Sequence, residues 1–134
     1  TQQDIRELQL AKGAIRTGIQ MLLEAKGRSE EEIGLVVIAG AFGSYINVES
    51  AVISGMLPAL PLNRFKQVGN AAGMGAKLAL VSSSKRAEAR SIASRARYLE
   101  LSSAPRFKET FIQASYLGKY RLRDGKRIEV DSVL

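Results

Sequence analysis

Twice in this chain a short apolar run ends at glycine and passes through small residues into a helix, and that repeated grammar limits the fold more than any other feature. Leu35 to Gly43 reads LVVIAGAFG, and Phe65 to Ala76 reads FKQVGNAAGMGA. Leu35 to Ala39 has no polar alternation, the form expected of a strand buried on both faces of a parallel sheet. Gly40 and Gly43 then end it, and glycine there lets the backbone turn sharply and lets a ligand approach bare N–H groups. A strand followed by a glycine turn also serves plain α/β architecture, so these residues by themselves leave both readings open.

The rest of the chain fits around these two units. Asp4 to Lys26 is expected to be one amphipathic helix, with Ile5, Leu8, Ala11, Ile15, Ile19, Leu22 and Leu23 as the inward stripe. Its other side carries Gln9, Lys12 and Arg16, stacked at three- and four-residue spacing as a solvated face or as cations lying along a nucleotide. Gly13 and Gly18 imply that another element crosses closely there or that a ligand needs the room. Ser29 and Glu32 have capping-box spacing before the first strand, and Asn47 caps a short helix over 48–54. Phe65 to Val68 is the second strand, with a helix running from the glycine-rich 69–76 stretch to about Ser82. Ser83 or Ser84 caps a further helix over 85–97. Tyr98 to Leu101 is a third strand candidate, and a helix starting within 102–105 takes Phe107, Phe111, Ile112 and Tyr116 inward. Strands alternating with helices predict an α/β fold with a short, mainly parallel sheet flanked by helices. Residues 119–134 are a basic tail or a hairpin turning at Asp124-Gly125.

Composition removes several chemistries. With 134 residues the chain is one domain, and it contains neither cysteine nor histidine, so disulfides, thiolate clusters and imidazole catalysis are excluded within it. No triad, P-loop or zinc-protease motif is present, so no catalytic and no metal-ligating residue is assigned. Apolar runs fall well short of the roughly 18 residues of a membrane span, and the polar N-terminal residues lack signal-peptide form. A cytoplasmic protein without a membrane partner is expected. The net charge of +7 is concentrated around Lys85 to Arg97 and in residues 119–134. With no aromatics interleaved for base stacking, this excess reads as solvated helix faces plus a tail rather than a nucleic-acid surface.

Three ordered blocks carry a resemblance: QQDIRELQLAKGAI over 2–15, AGAFGSY over 39–45 and VGNAAGMGA over 68–76. Together they resemble the C-terminal domain of the ATP-dependent reductive activators of corrinoid proteins, within the superfamily of actin, sugar kinases and heat-shock chaperone ATPases. The resemblance covers roughly Thr1 to Leu117. It implies a ribonuclease H-like lobe over 1–118 and half of an ATP site, ATP lying between two lobes. In that family, ATP binding and hydrolysis are linked to electron transfer from an iron-sulfur domain onto cobalt(II) of a corrinoid protein, restoring cobalt(I). By the same resemblance Gly40, Ala41, Phe42, Gly43 and Ser44 form the adenosine motif, with Ala41 where a second glycine is usual. Lys12 and Arg16 lie on the helix that meets adenine and ribose, and Gly69 and Asn70 lie at the lobe hinge, with Asn70 toward the nucleotide. Replacing Gly43 by valine is then expected to remove nucleotide binding without unfolding the domain.

The resemblance further implies partners: the corrinoid protein, the N-terminal lobe and iron-sulfur domain of a longer polypeptide, and a second copy, since such activators are often dimers through this region. The magnesium-positioning aspartates and phosphate loops match nothing in this chain. A fragment that does not hydrolyse ATP alone is therefore expected. Two other readings stand beside this one: an activator of a 2-hydroxyacyl dehydratase-type enzyme, and a non-enzymatic protein- or nucleic-acid-interaction module using the basic helix 85–97 and tail.

Overall fold

Thr1 starts the first helix by a reciprocal cap, its side chain accepting from the Asp4 N–H while its hydroxyl donates to the Asp4 carboxylate at 2.7 Å. The helix, α1, runs Gln2–Lys26 and stops at Gly27. In the computed structural model, which describes residues 1–118 and 120, a 3-10 turn at Glu30–Glu32 follows, and then strand β1, Val36–Ala39. Helices α2, Phe42–Tyr45, and α3, Val48–Ile53, lead through a second 3-10 turn at Leu62–Arg64 to strand β2, Phe65–Gly69. Three helices complete the described chain: α4, Ala71–Val81, α5, Ser83–Arg95, and α6, Phe107–Ser115. No helix among the described residues is long and apolar enough to cross a membrane. The tail or hairpin expected at 119–134 lies, Tyr120 apart, outside the described residues.

β1 and β2 form a two-stranded parallel sheet, Val36 opposite Phe65 and Ile38 opposite Gln67, with a bulge that brings Ala39 opposite Gly69. A parallel pair needs a crossover, and the 40–64 stretch with α2 and α3 supplies it. The core sits beneath this pair, where Ile38, Ala51, Met56 and Leu57 meet Ile15 and Ile19 of α1. The sheet is α/β as expected, but two expectations fail. β1 is not buried on both faces, since only Ile38 is inside and Val37 is 54% exposed. Nor is there a third strand at 98–101. Glu100 accepts from the Tyr98 hydroxyl and from the Ser102 N–H and hydroxyl, local bonds that lead the segment into a turn at 102–103 rather than along a neighbouring strand.

The inward faces of α1 and α6 also differ from those read from spacing. α1 buries Lys12, Gly13, Arg16, Thr17, Gln20 and Met21, while Ile5, Leu8 and Leu22 are exposed. α6 buries Thr110 and Ala114 rather than Ile112 and Tyr116, both exposed. The physical reason is the contact between them. α6 lies so close across α1 that a Cβ at Gly13 would stand 2.6 Å from the Ser115 hydroxyl. Glycine at 13 permits that approach, so the polar face of α1 meets α6 and Ile5, Leu8 and Leu22 are left outside. At α5 the cap is Ser82, one residue before the two serines expected.

Candidate functional site

Glycine follows β1 and closes β2, and the two glycines are bonded to each other. Gly40 follows β1 at φ +74° and Gly69 closes β2 at φ +58°, both in the left-handed region that disfavours side chains, and the Gly40 N–H donates to the Gly69 carbonyl at 2.7 Å. A Cβ placed on Gly40 would meet nothing within 4 Å. The turn is therefore open, and it lies at the carboxyl ends of parallel strands, where α/β sheets leave room for ligands. Ala41 and Ser44 are exposed beside it.

Gly43 belongs to the same loop but does not face that opening. It is buried, and a Cβ there would stand 2.6 Å from the Ile38 carbonyl oxygen and 2.9 Å from the Gly69 nitrogen. Its lack of a side chain serves the packing of α2 onto the strand ends. The expectation that a larger residue at 43 spares the fold is therefore corrected: the space is already filled by backbone. Phe42 opens α2. Asn70 caps α4, its Oδ1 accepting from the Gly73 N–H at 2.9 Å, so its side chain is committed to the first turn of that helix. The structure thus gathers Gly40, Ala41, Gly43, Ser44, Gly69 and Asn70 at one end of the sheet.

Lys12 and Arg16 stand elsewhere. Neither forms a solvated face, and neither is free to lie along a nucleotide, because both are buried, Lys12 against the end of α6 and Arg16 between Glu30 and Tyr120. The Lys12 ammonium donates to the Ala114 carbonyl at 2.6 Å and to the Tyr116 carbonyl, completing the end of α6 where carbonyls have no helical partner. Arg16 pairs with the carboxylate of Glu30, which also accepts the Ala59 N–H at 2.6 Å, and the Tyr120 ring covers the guanidinium at 4.6 Å. Sequence reasoning misses Glu30 and Tyr120; the signal for their neighbours is Gly13 flanked at helical spacing by the polar residues Lys12, Arg16, Thr17 and Gln20, which marks a buried polar helix crossing as well as a solvent face. Among the described residues, the Nε of Arg16 and the hydroxyl of Thr17 have no hydrogen-bond partner.

Burial pushes the Lys12 ammonium below its usual range, with the neighbouring Arg16 charge acting in the same direction. Between the lowered folded value and the ordinary one near 10.5, the unfolded chain binds more protons than the folded chain. Stability contributed through Lys12 must therefore rise as pH climbs through that window. Chemical denaturation at neutral and alkaline pH, compared between the wild type and Lys12→Met, is expected to show this rise in the wild type and a smaller one in the variant. Parallel pH profiles would remove Lys12 as its source.

Comparisons with known proteins show what the chain is similar to. A family model described as the C-terminal domain of RACo, the ASKHA domain, matches residues 1–128 and so reaches past Leu117, where the resemblance read from sequence stops. The corrinoid activation enzyme RamQ of Eubacterium limosum is 39% identical over 118 residues, covering 88% of this chain and 20% of that protein. A solved structure described as a reductive activator for corrinoid, iron-sulfur protein superimposes with a TM-score of 0.81 at 40% identity, over 87% of this chain and 19% of its own. The chain spans about a fifth of the length of these relatives.

Proposed function

The chain belongs to the family of RACo C-terminal (ASKHA) domains, and on that premise we propose that it is the nucleoside-binding lobe of an ATP-dependent reductive activator of a corrinoid protein. The observation that carries the reading is the open left-handed turn at Gly40, bonded to its counterpart at Gly69. A flat purine nucleoside lies against peptide backbone only where no Cβ intervenes, and Gly40 leaves that approach clear. Exposed Ala41 and Ser44 flank the approach, and Asn70 holds the start of α4 beside it. Gly43 acts through packing, fixing α2 against the strands so that the turn keeps its shape. Lys12 and Arg16, placed in the site by resemblance, are assigned instead to the frame that holds α1 to the end of α6 and to the 30–32 turn.

In this reading ATP supplies the free energy that drives an unfavourable electron transfer to cobalt. This chain's part is to bind and orient the adenosine end. The phosphate-binding loops, the magnesium-positioning carboxylates and the iron-sulfur cluster fall to the remaining four fifths of the length that the relatives have. Residues 1–118 are proposed as the lobe and 119–134 as an appendage to it.

Titration of the full-length polypeptide with ATP in calorimetry tests the assignment. Gly40→Val is expected to weaken binding about tenfold, or about 1.4 kcal/mol, by placing a branched side chain in the path of the nucleoside. The left-handed turn also costs the variant about 1 kcal/mol of stability, which chemical denaturation measures separately. Unchanged affinity in a folded Gly40→Val variant removes the site.

A further inference from the structure

α4 and α5 stand apart from the core. Neither buries a single residue, and α5 packs chiefly on α4. A 13-residue helix with no buried face is marginal in water, so its order comes from how the arm is built. Asn70 caps α4, Ser82 caps α5, and Arg86 reaches back from the first turn of α5 to the end of α4, its Nε donating to the Ala79 carbonyl at 2.9 Å and its Nη2 to the Leu80 carbonyl at 3.3 Å. The elbow is thus pinned, and the rest of the arm is presented outward.

What it presents is charge. Residues 77–97 hold six cations and one carboxylate, five of the chain's seven net positive charges. Lys85 pairs with Glu88 at 2.7 Å, whereas among the described residues no carboxylate pairs with Arg90, Arg95 or Arg97. At the elbow Leu80 and Val81 are about 80% exposed. An element that exposes apolar residues at its elbow and carries four arginines to two lysines has the composition of a protein interface. A phosphate backbone offers such an apolar tip nothing.

We propose that the α4–α5 arm docks an acidic face of the corrinoid protein on which the activator acts, and that its charge steers the encounter. This rests on the function proposed above. Electron transfer between separate proteins needs a fast, transient meeting, and a one-signed patch on a projecting element raises the association rate at low salt without tight binding.

The test uses the full-length activator with Arg90→Glu, Arg95→Glu and Arg97→Glu combined, its corrinoid protein, and two readouts: binding by sedimentation and ATP-dependent cobalt reduction. At about 20 mM salt the variant is expected to bind about tenfold more weakly and to lose the same factor in kcat/KM, and the difference should vanish near 0.5 M, where the screening length is only a few ångström. kcat at saturating partner and the affinity for ATP should be unchanged. Wild-type and variant binding with the same salt dependence overturns the proposal. So does a duplex of about 30 base pairs that the wild type binds at about 150 mM salt and the variant does not, which assigns the arm to nucleic acid. Trypsin cleavage after Arg90, Arg95 and Arg97 as slow as in the core also overturns it, since the arm is then covered by its own chain. Binding that follows the prediction without any cobalt reduction leaves the arm's role standing and removes the reductive function.

Discussion

Gly43→Val is expected to lower the melting temperature by roughly 10 °C or more, a loss of about 3 kcal/mol, because the new Cβ enters space held by backbone. At 2.6 Å from the Ile38 carbonyl oxygen and 2.9 Å from the Gly69 nitrogen, the clash is with atoms that have no rotamer to change. Relief requires α2 to lift from the strand ends, and lifting it pulls on the Gly43 N–H bond to the Gly40 carbonyl at 3.0 Å. The β1–β2 junction then loosens. Gly43→Ala already places the Cβ and should show most of the loss, whereas Gly40→Ala, in open space, should cost only about 1 kcal/mol of left-handed strain. Thermal melts of the three variants decide the matter. Equal, small losses at 40 and 43 would mean that the tight approach of α2 is absent, and with it the shape on which the nucleotide reading depends.

The sequence made the sheet end legible because the physics there is local. An apolar run, a glycine and a capping Asn47 each act within four residues, and β1, β2, α3 and the start of α4 all form where spacing puts them, while the cap at Asn70 emerges only in the structure. The helix faces were not legible from spacing, because an apolar stripe says that a side wants burial without saying what arrives to bury it. In α1 two stripes compete. Ile15 and Ile19 reach the core beneath the sheet, but Gly13 admits α6 so closely that Lys12 and Arg16 go inside with it. That decision is made by residues a hundred positions away in sequence, at Ala114 and Ser115. Strand 98–101 failed because the chain turns immediately after it, with Glu100 accepting from the Ser102 N–H and hydroxyl, and no strand pairs with the segment among the described residues.

The same competition predicts what Arg16 does. Arg16→Met should destabilise the domain by about 3 kcal/mol, the cost of leaving a shielded carboxylate without its counter-charge. The Arg16 side chain is 2% exposed and that of Glu30 22%, so solvent replaces the lost partner only in part. Glu30 would keep one donor, the Ala59 N–H, and Tyr120 would lose the cation beneath its ring. Glu30→Gln should cost a similar amount by stranding the guanidinium. The double variant, however, should be less destabilised than the sum of the two, by about 1 to 3 kcal/mol, since each single change already breaks the pair. Denaturant titrations of the four proteins close this cycle, and ATP calorimetry on the same samples adds the decisive contrast. If Arg16 lay along the nucleotide, its loss would weaken ATP binding, leave stability near the wild-type value and show no coupling to Glu30. A buried pair gives the reverse: stability lost and strongly coupled, with affinity unchanged wherever the variant is folded. That outcome would make α1 the beam that ties α6 and the 58–60 turn to the sheet, and would confine the nucleoside contacts to the two glycine turns.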